Sequence, residues 1–442
     1  MQVEAWLQRA AASAPTVTAL QTPDGACSYA QLESAARAGA SQLTERGVRP
    51  GGRVAIALPP GIAFAQAMHA CFLLGAVAVP IDIRLSSAER ERLIAGATLV
   101  VEPLRDESAA GEGVLADEGA LDAVHDLDAV AAVIHTSGTT SAPRPIELTY
   151  GNFLWSALGS GVALGVDPRE RWLCALPSSH VGGLSILVRS AIYATTAVIH
   201  ERFDTERALA ALRDEQITLV SLVSTTLARL LDAGLRDPPA LRCALTGGGP
   251  VPASLIERAR NAGVPVSLTY GLTEACSQVT TGGPPLFCTR VCVAGAPPAE
   301  PGVGEIMVAG ATVAPASRGP GGWLRTGDLG ALDEHGFLHV TGRKVDTIVT
   351  GGENVAPTEV EAVLAAHPEV LEAAVIGRED PHWGEAVTAI VVAAPGASLD
   401  EAALREHCTA ALASYKVPKR FALVADPLPR TPSGKLLRRE LR

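Results

Sequence analysis

The sequence has no excess of positive charge. Its 442 residues carry a formal net charge of -11. No basic face is implied at chain level, which argues against a nucleic-acid partner. Nucleotides remain open, because a few local cations and backbone N–H groups suffice to hold phosphate. Lysine is scarce beside arginine, as GC-rich coding alone would produce. Paired cysteines are lacking too. Cys27, Cys71, Cys174, Cys243, Cys276, Cys288, Cys292 and Cys408 form no Cys-x-x-Cys. The close pair Cys288 and Cys292 has no histidine or second pair nearby to complete a zinc site. Reduced, buried thiols of a cytoplasmic protein are expected. No basic start followed by an apolar run opens the chain, so no signal peptide is expected. One stretch, residues 62–81, resembles a membrane span. It contains Gln66 and His69 and is broken by Gly75 and Pro80, so a helix followed by a short buried strand is predicted instead. No internal repeat is visible.

What is present is ample apolar material. At 48% hydrophobic and this length, the chain is too long for one compact core, and two or more domains are expected. The 43 glycines and 31 prolines are scattered, which indicates many turns rather than a disordered tract. Residues 28–47 have apolar positions at helical spacing, with Ser28 as N-cap and Gly47 as stop. Residues 53–58 read as a buried strand ending at Pro59 and Pro60. A helix and a second strand, 76–79, follow. This rhythm predicts a parallel sheet with helices on its faces. Residues 107–128 read as an acidic surface loop or weak helix. Two Gly/Pro-rich β segments, 304–309 and 337–341, come before a change of texture. Beyond it, 357–366 and 399–412 read as helices, and 370–377 and 386–393 as strands. The expectation is an α/β protein. A large N-terminal domain, residues 1–343, has parallel-rich sheets flanked by helices and a small β-rich subdomain. A small α+β domain, residues 344–442, follows it.

The segment running from His135 to Arg144 carries the clearest chemistry. Thr136, Ser137, Thr139 and Thr140 surround Gly138. The glycine lets the backbone turn so that successive N–H groups converge on an anion. The hydroxyls add neutral hydrogen bonds, and Arg144 offers a charged fork to the same oxygens. The pattern is not the G-x-x-x-x-G-K-[ST] loop of the common nucleoside-triphosphate fold. It follows an apolar strand at once, as ligand loops at the carboxyl ends of strands do. Taken alone, a Ser/Thr-rich surface turn would fit equally well.

With its companions the segment resembles a known family. TSGTT at 136–140, YGLTE at 270–274, TGD at 326–328, GRK at 342–344 and SGK at 433–435 occur in the order and spacing of the adenylate-forming enzymes. These include acyl-CoA ligases, peptide-synthetase adenylation domains and luciferases. The resemblance covers nearly the whole chain. Ser141, Arg144 and Pro145 depart from the family's usual Gly, Lys and Gly. Pro145 removes an N–H and stiffens the loop exit.

The resemblance implies ATP, Mg²⁺ and coenzyme A as partners, with an acyl-adenylate between two half-reactions. It implies that Tyr270 and Gly271 face the adenine and that Gly248 also borders ATP. Thr273 would contact the α-phosphate, and Glu274 would help hold the metal. Asp328 would accept the ribose hydroxyls, and Arg343 would reach the ribose at a hinge. Lys435 would enter on a mobile C-terminal domain and bridge the attacking carboxylate and the α-phosphate. Gly351, Gly352, Glu353 and Asn354 would line the channel for the CoA thiol. Val345 stands where the family commonly has a charged hinge residue.

Three further segments are similar to the o-succinylbenzoate–CoA ligases of menaquinone biosynthesis. They are SHVGGLSI at 179–186, TGGGPV at 246–251 and ACSQV at 275–279. LTYGN at 148–152 and GGENVAPTEVE at 351–361 agree. In that resemblance His180, Gly182, Gly183, Leu184 and Ser185 line the acid pocket. Gly247 and Gly249 form a wall for an aromatic ring, Ser277 bonds the substrate's second carboxylate or ketone, and His180 orients the reacting carboxylate. Arg189 would offer that second carboxylate a cation, or else occupy a surface position on a helix. The alternatives are another small aromatic or aliphatic acyl-CoA ligase, a free-standing domain that loads a carrier protein, or a weak nucleotide-binding homologue. A homodimer is compatible with all of them.

Overall fold

The computed structural model describes residues 1–102, 124–136, 143–295, 302–350, 353–381, 383–431 and 436–441. The chain divides into two compact units. The first comprises Met1–Gly247, Ala259–Arg290 and Ala309–Leu324, and the second Gly248–Arg258, Val291–Val308 and Arg325–Arg442.

Local signals set the helices of the first unit. Ser28 caps helix Tyr29–Glu45 in a reciprocal box with Gln31, and Gly47 takes φ 89 just past its end. Helix Ile62–Leu74 is buried over most of its length and stops at Gly75, which has φ 69. Strand Val77–Pro80 follows, so the apolar run is a core helix and strand, as predicted. Gly39 lets these two helices cross closely, since a Cβ there would sit 3.0 Å from the Ala70 Cβ. Beneath them Trp6, Phe72, His125 and Tyr150 pack edge to face and stacked, the last two rings 4.3 Å apart. Each fully buried large side chain of this kind contributes roughly 1.5–3 kcal/mol.

Two larger sheets organise this unit. A five-stranded sheet runs Leu99–Val101, Arg53–Ile56, Val77–Pro80, Val130–Thr136, Arg144–Thr149, and its last pair is antiparallel. Pro145 lies on that edge strand, a position where sheets tolerate proline. An eight-stranded sheet has six parallel strands in the order Val266–Leu272, Cys243–Gly247, Leu219–Leu222, Arg171–Cys174, Thr196–Ile199, Thr18–Thr22. Antiparallel strands Ser277–Thr281 and Gly25–Ser28 flank it. From Arg171–Cys174 the chain first adds a strand on one side and then returns to add the next on the other. That reversal makes a topological switch point.

The second unit contains a sheet of Glu353–Val355, Ile348–Thr350, Gly384–Ala393 and Val370–Asp380, with Arg420–Val424 parallel to Gly384–Ala393. Helices Pro357–Ala365 and Glu401–Ala411 pack on it through Val360, Leu364, Leu404 and Cys408. Pro357 opens one helix, where its absent N–H is harmless, and Asp400 caps the other. A four-stranded sheet runs Thr289–Ala294, Gly304–Gly310, Leu324–Leu332, Leu338–Arg343. The α/β expectation is met, with a sheet-rich large domain and a C-terminal α+β domain. Two details differ from the sequence reading. Val124–Asp126 is a strand paired with Gln2–Glu4, whereas a loop or weak helix was expected across it. The rest of that acidic tract, to residue 123, lies outside the described residues. Strand Leu324–Leu332 was not anticipated, because its glycines and arginine break the apolar alternation. Among the described residues no helix is long and apolar enough to cross a membrane.

Candidate active site

Parallel pairing brings distant motifs of the first unit to one edge. Cys174, Leu222, Gly247 and Leu272 end neighbouring parallel strands, with Leu222 opposite Thr246 and Gly247 opposite Thr269. The loop leaving Cys174 delivers His180, which begins helix Val181–Tyr193. His180, Gly247 and the 270–277 segment therefore share the carboxyl edge of one sheet, beside its switch point. This is where open α/β sheets bind ligands.

The 270–277 segment is tightly specified. A bulge falls between Tyr270 and Gly271, the 3₁₀ turn Thr273–Ala275 follows, and strand Ser277–Thr281 returns antiparallel. A Cβ on Gly271 would lie 1.6 Å from the Ser277 carbonyl oxygen, so only glycine fits. Cys276 and Ser277 both have positive φ, 51 and 88, which is rare for residues with side chains. The Cys276 N–H donates to the Thr273 carbonyl at 3.0 Å. Ser156 donates to the Cys276 carbonyl at 2.6 Å. Tyr270, Thr273, Glu274 and Ser277 are half-buried. Among the described residues no ion pair engages the Glu274 carboxylate. A half-exposed acid at a strand end fits a magnesium ion shared with phosphate oxygens.

In the five-stranded sheet Thr136 and Arg144 face one another across the last strand pair, and the Thr136 hydroxyl donates to the Arg144 carbonyl at 3.4 Å. Arg144 is exposed. Ser137, Gly138, Thr139 and Thr140 lie outside the described residues.

The acid-pocket candidates separate into two kinds. His180, Gly182 and Ser277 are partly accessible, whereas Gly183, Leu184 and Ser185 are buried. A Cβ on Gly183 would meet the Pro177 carbonyl at 2.4 Å, and one on Gly247 the Thr269 carbonyl at 2.4 Å. Both glycines thus permit close backbone packing. Gly248 has φ 77, and Gly249 has open space around its Cα. In LTYGN, Thr149 and Asn152 form a capping box and Gly151 packs on the Leu127 carbonyl, so these residues shape the scaffold.

Arg189 is not a surface residue, since it is only 2% exposed. The surface expectation fails because this helix is buried almost all round, and spacing then carries no information. Two polar residues went unnoticed in the sequence. Ser156 has no motif around it. Asp82 receives two hydrogen bonds from the Arg84 guanidinium, at 2.8 and 2.6 Å. Burial raises the Asp82 carboxyl, but the Arg84 bonds and charge, with the His180 imidazole nearby, hold it net below the usual carboxylate range. The loop order PIDIR after a buried strand was the available signal.

In the second unit Asp328 and Arg343 lie opposite one another on paired strands and are joined by an ion pair at 3.1 Å. The Thr326 hydroxyl donates to the Ile306 carbonyl at 2.8 Å and accepts from the Asp328 N–H at 3.0 Å, while Gly327 takes φ 71. TGD is therefore a built turn on a strand. Lys344 points to Glu305 at 3.5 Å, which Arg325 also engages. Arg438 bridges Asp346 and Glu361 at 3.4 and 2.7 Å. Burial pushes the Glu361 carboxyl up, against the pull of Arg438. Glu353 and Asn354 belong to strand Glu353–Val355. Gly351, Gly352 and Lys435 lie outside the described residues.

The chain is similar to known proteins along nearly its whole length. Residues 7–316 match the AMP-binding enzyme family, and residues 359–435 match the AMP-binding enzyme C-terminal domain. The chain is 39% identical to the 2-succinylbenzoate–CoA ligase of Bacillus subtilis strain 168, over 99% of this chain and 97% of that protein. It superposes with a TM-score of 0.92 on the o-succinylbenzoate CoA synthetase of Bacillus subtilis in complex with its acyl-adenylate intermediate, at 37% identity over 100% of this chain and 98% of that one. The same enzyme in complex with ATP and magnesium ion gives 0.90, at 36% identity over the full length of both chains.

Proposed function

The chain belongs to the AMP-binding enzyme family, and from that premise we propose that it is the 2-succinylbenzoate–CoA ligase of its host. It is an acid–thiol ligase that uses ATP, Mg²⁺ and coenzyme A. In the first half-reaction a carboxylate oxygen attacks the α-phosphorus of ATP. The bond to pyrophosphate breaks, and an acyl-adenylate forms. In the second, the CoA sulfur attacks the acyl carbon, the bond to AMP breaks, and the thiol proton leaves to solvent.

The residues take the roles that the family resemblance implies. Tyr270 stacks on adenine, with Gly248 and Gly271 close to the nucleotide. The hydroxyls of Thr136, Ser137, Thr139 and Thr140, with Arg144, hold the triphosphate. Thr273 bonds the α-phosphate. Glu274 holds Mg²⁺, which when bound neutralises phosphate charge. Asp328, already oriented by Arg343 and by Thr326, accepts the ribose hydroxyls. Lys435 stabilises charge as pyrophosphate departs. Residues 351–354 border the CoA thiol. We take the hinge at residues 343 and 344, where strand Leu338–Arg343 meets the turn Lys344–Asp346. Movement of the C-terminal domain about it then serves the two half-reactions in turn. A reducing cytoplasm suits the eight free cysteines.

The observation that carries the substrate is the set His180, Gly182, Gly247 and Ser277 at one sheet edge, together with full-length likeness to ligases of this acid. AMP release with CoA present, across 2-succinylbenzoate, benzoate, succinate and a medium-chain fatty acid, tests it. The expected result is a kcat/KM for 2-succinylbenzoate about one to two decades above the rest, since a buried polar group left unpaired costs roughly 1–3 kcal/mol. Comparable turnover of benzoate or the fatty acid overturns the substrate. Adenylate formation without CoA turnover would instead indicate a carrier-protein loader.

A further inference from the structure

We infer that Arg438 is a positioning residue for the first half-reaction, tying the base of the Lys435 loop to the hinge turn through Asp346 and Glu361. The inference rests on the reading that Lys435 serves adenylation.

Arg438 opens a short 3₁₀ turn three residues after Lys435 in the sequence. Its Nη2 donates to both oxygens of Glu361, at 2.9 and 2.7 Å. Its Nη1 donates to Asp346 Oδ2 at 3.4 Å. All three side chains are at most 20% exposed. Glu361 belongs to helix Pro357–Ala365, and Asp346 to the hinge turn Lys344–Asp346. Glu361 also accepts from the Val375 N–H at 2.8 Å, which fixes it to strand Val370–Asp380. One cation therefore joins helix, strand, hinge turn and tail. Burial pushes the Glu361 carboxyl up, Arg438 pulls it down, and the charge of Asp346 adds to the rise. The two carboxylates thus repel one another, and Arg438 is their shared counter-charge. Without it, that repulsion would push the hinge turn and the helix apart.

The segment that carries Lys435 is closed at its base. Arg430 and Leu436 form an antiparallel bridge, and the Leu437 N–H donates to the Pro429 carbonyl at 2.8 Å. Arg430 pairs with Glu372 at 2.6 Å. Leu436 and Leu441 pack on the apolar cluster of Ala374, Ile376 and Leu428. Apolar contacts are non-directional, so they hold the tail on the sheet without fixing its bearing. A planar guanidinium shared between two carboxylates fixes direction as well. A lysine that must meet a transition state needs such a base, since about 1 Å of misplacement can cost a hundredfold in rate. A buried ion pair adds little stability, because desolvation offsets the attraction. The contribution of Arg438 is geometric: rotation at the hinge is carried to Lys435. Strand Glu353–Val355 is held by its own pairing with Ile348–Thr350, so the second half-reaction does not depend on Arg438.

The test is single-turnover kinetics of the two half-reactions, adenylation of 2-succinylbenzoate and thiolation of supplied acyl-adenylate. The variants are Arg438→Met, Arg438→Lys, Lys435→Ala and the Lys435→Ala/Arg438→Met double variant. Adenylation is expected to slow at least about tenfold in Arg438→Met, with thiolation within about twofold of wild type. Arg438→Lys keeps the charge and recovers part of the loss. The double variant adenylates no more slowly than Lys435→Ala, because Arg438 acts only through Lys435. Equal losses in both half-reactions, wild-type adenylation in Arg438→Met, or multiplying effects in the double variant would overturn the inference. If Arg438→Met does not fold, Arg438→Lys decides: selective slowing of adenylation supports the inference, and equal or absent slowing overturns it. Selective loss in Lys435→Ala without the same loss in Arg438→Met overturns the inference alone. Lys435→Ala that adenylates normally overturns the reading of Lys435, and the inference with it. Wild-type enzyme that prefers another acid overturns the proposed substrate alone, and the same variants are then read with that acid.

Discussion

Arg343 Nε lies 3.1 Å from Asp328 Oδ1, an ion pair made directly across an antiparallel strand pair. The aspartate side chain is 10% exposed, whereas that of the arginine is half in solvent. One oxygen of Asp328 is thus held, and the group is aimed before any nucleotide arrives. Such preorganisation reduces what binding must spend on orientation.

Asp328→Ala should therefore weaken ATP selectively. Loss of charge-assisted hydrogen bonds to two hydroxyls costs roughly 1.5–3 kcal/mol, or about one to two decades in kcat/KM for ATP. Pyrophosphate exchange at varied ATP measures it. An unchanged ATP KM would remove Asp328 from the ribose site.

Lys435→Ala should cripple adenylation by about two to three decades, the usual worth of one oriented transition-state contact. Thiolation of supplied acyl-adenylate should stay nearly intact. Single-turnover assays of the two half-reactions separate these effects, and equal loss in both contradicts the role.

Gly271→Ala should displace the Ser277 backbone, because the new methyl would lie 1.6 Å from its carbonyl oxygen. Overpacking of this kind costs about 1–3 kcal/mol. The urea midpoint should fall and the KM of the acid should rise. Wild-type values of both would show that the turn yields freely.

Acid should destabilise the first unit through two buried histidines. Burial alone lowers His69 to about 4. Burial, with His69 adding a smaller effect, lowers His125 to about 3. Both are neutral in the fold, while the unfolded chain takes up protons below the ordinary value of 6.5. Stability is fully present above 6.5 and is lost as pH falls toward these values. At about pH 5 each histidine costs roughly 2 kcal/mol. His69→Leu should shrink the loss of stability between about pH 7.5 and pH 5 by that amount, read from urea melts. An equal loss in variant and wild type would show that His69 is not the group that titrates.

The sequence by itself determined the chemistry that is local. Hydroxyls around Gly138, the run from Tyr270 to Glu274 and the turn at Gly327 are set by residues a few positions apart. So are the Ser28 cap and the Gly75 stop. Motif order then extended this local chemistry to a family. Tertiary structure decided what depends on separation. Only parallel pairing puts His180, Gly247 and Tyr270 on one edge, and only the register of two strands puts Arg343 opposite Asp328. The burial of Arg189 and its contact with Ser156, 33 residues away, left no mark in spacing. A helix that is apolar all round gives no period from which to read its faces, and a single serine gives no pattern. Pairing partners are chosen by the whole fold, so that part of the site could be seen only once the chain was folded.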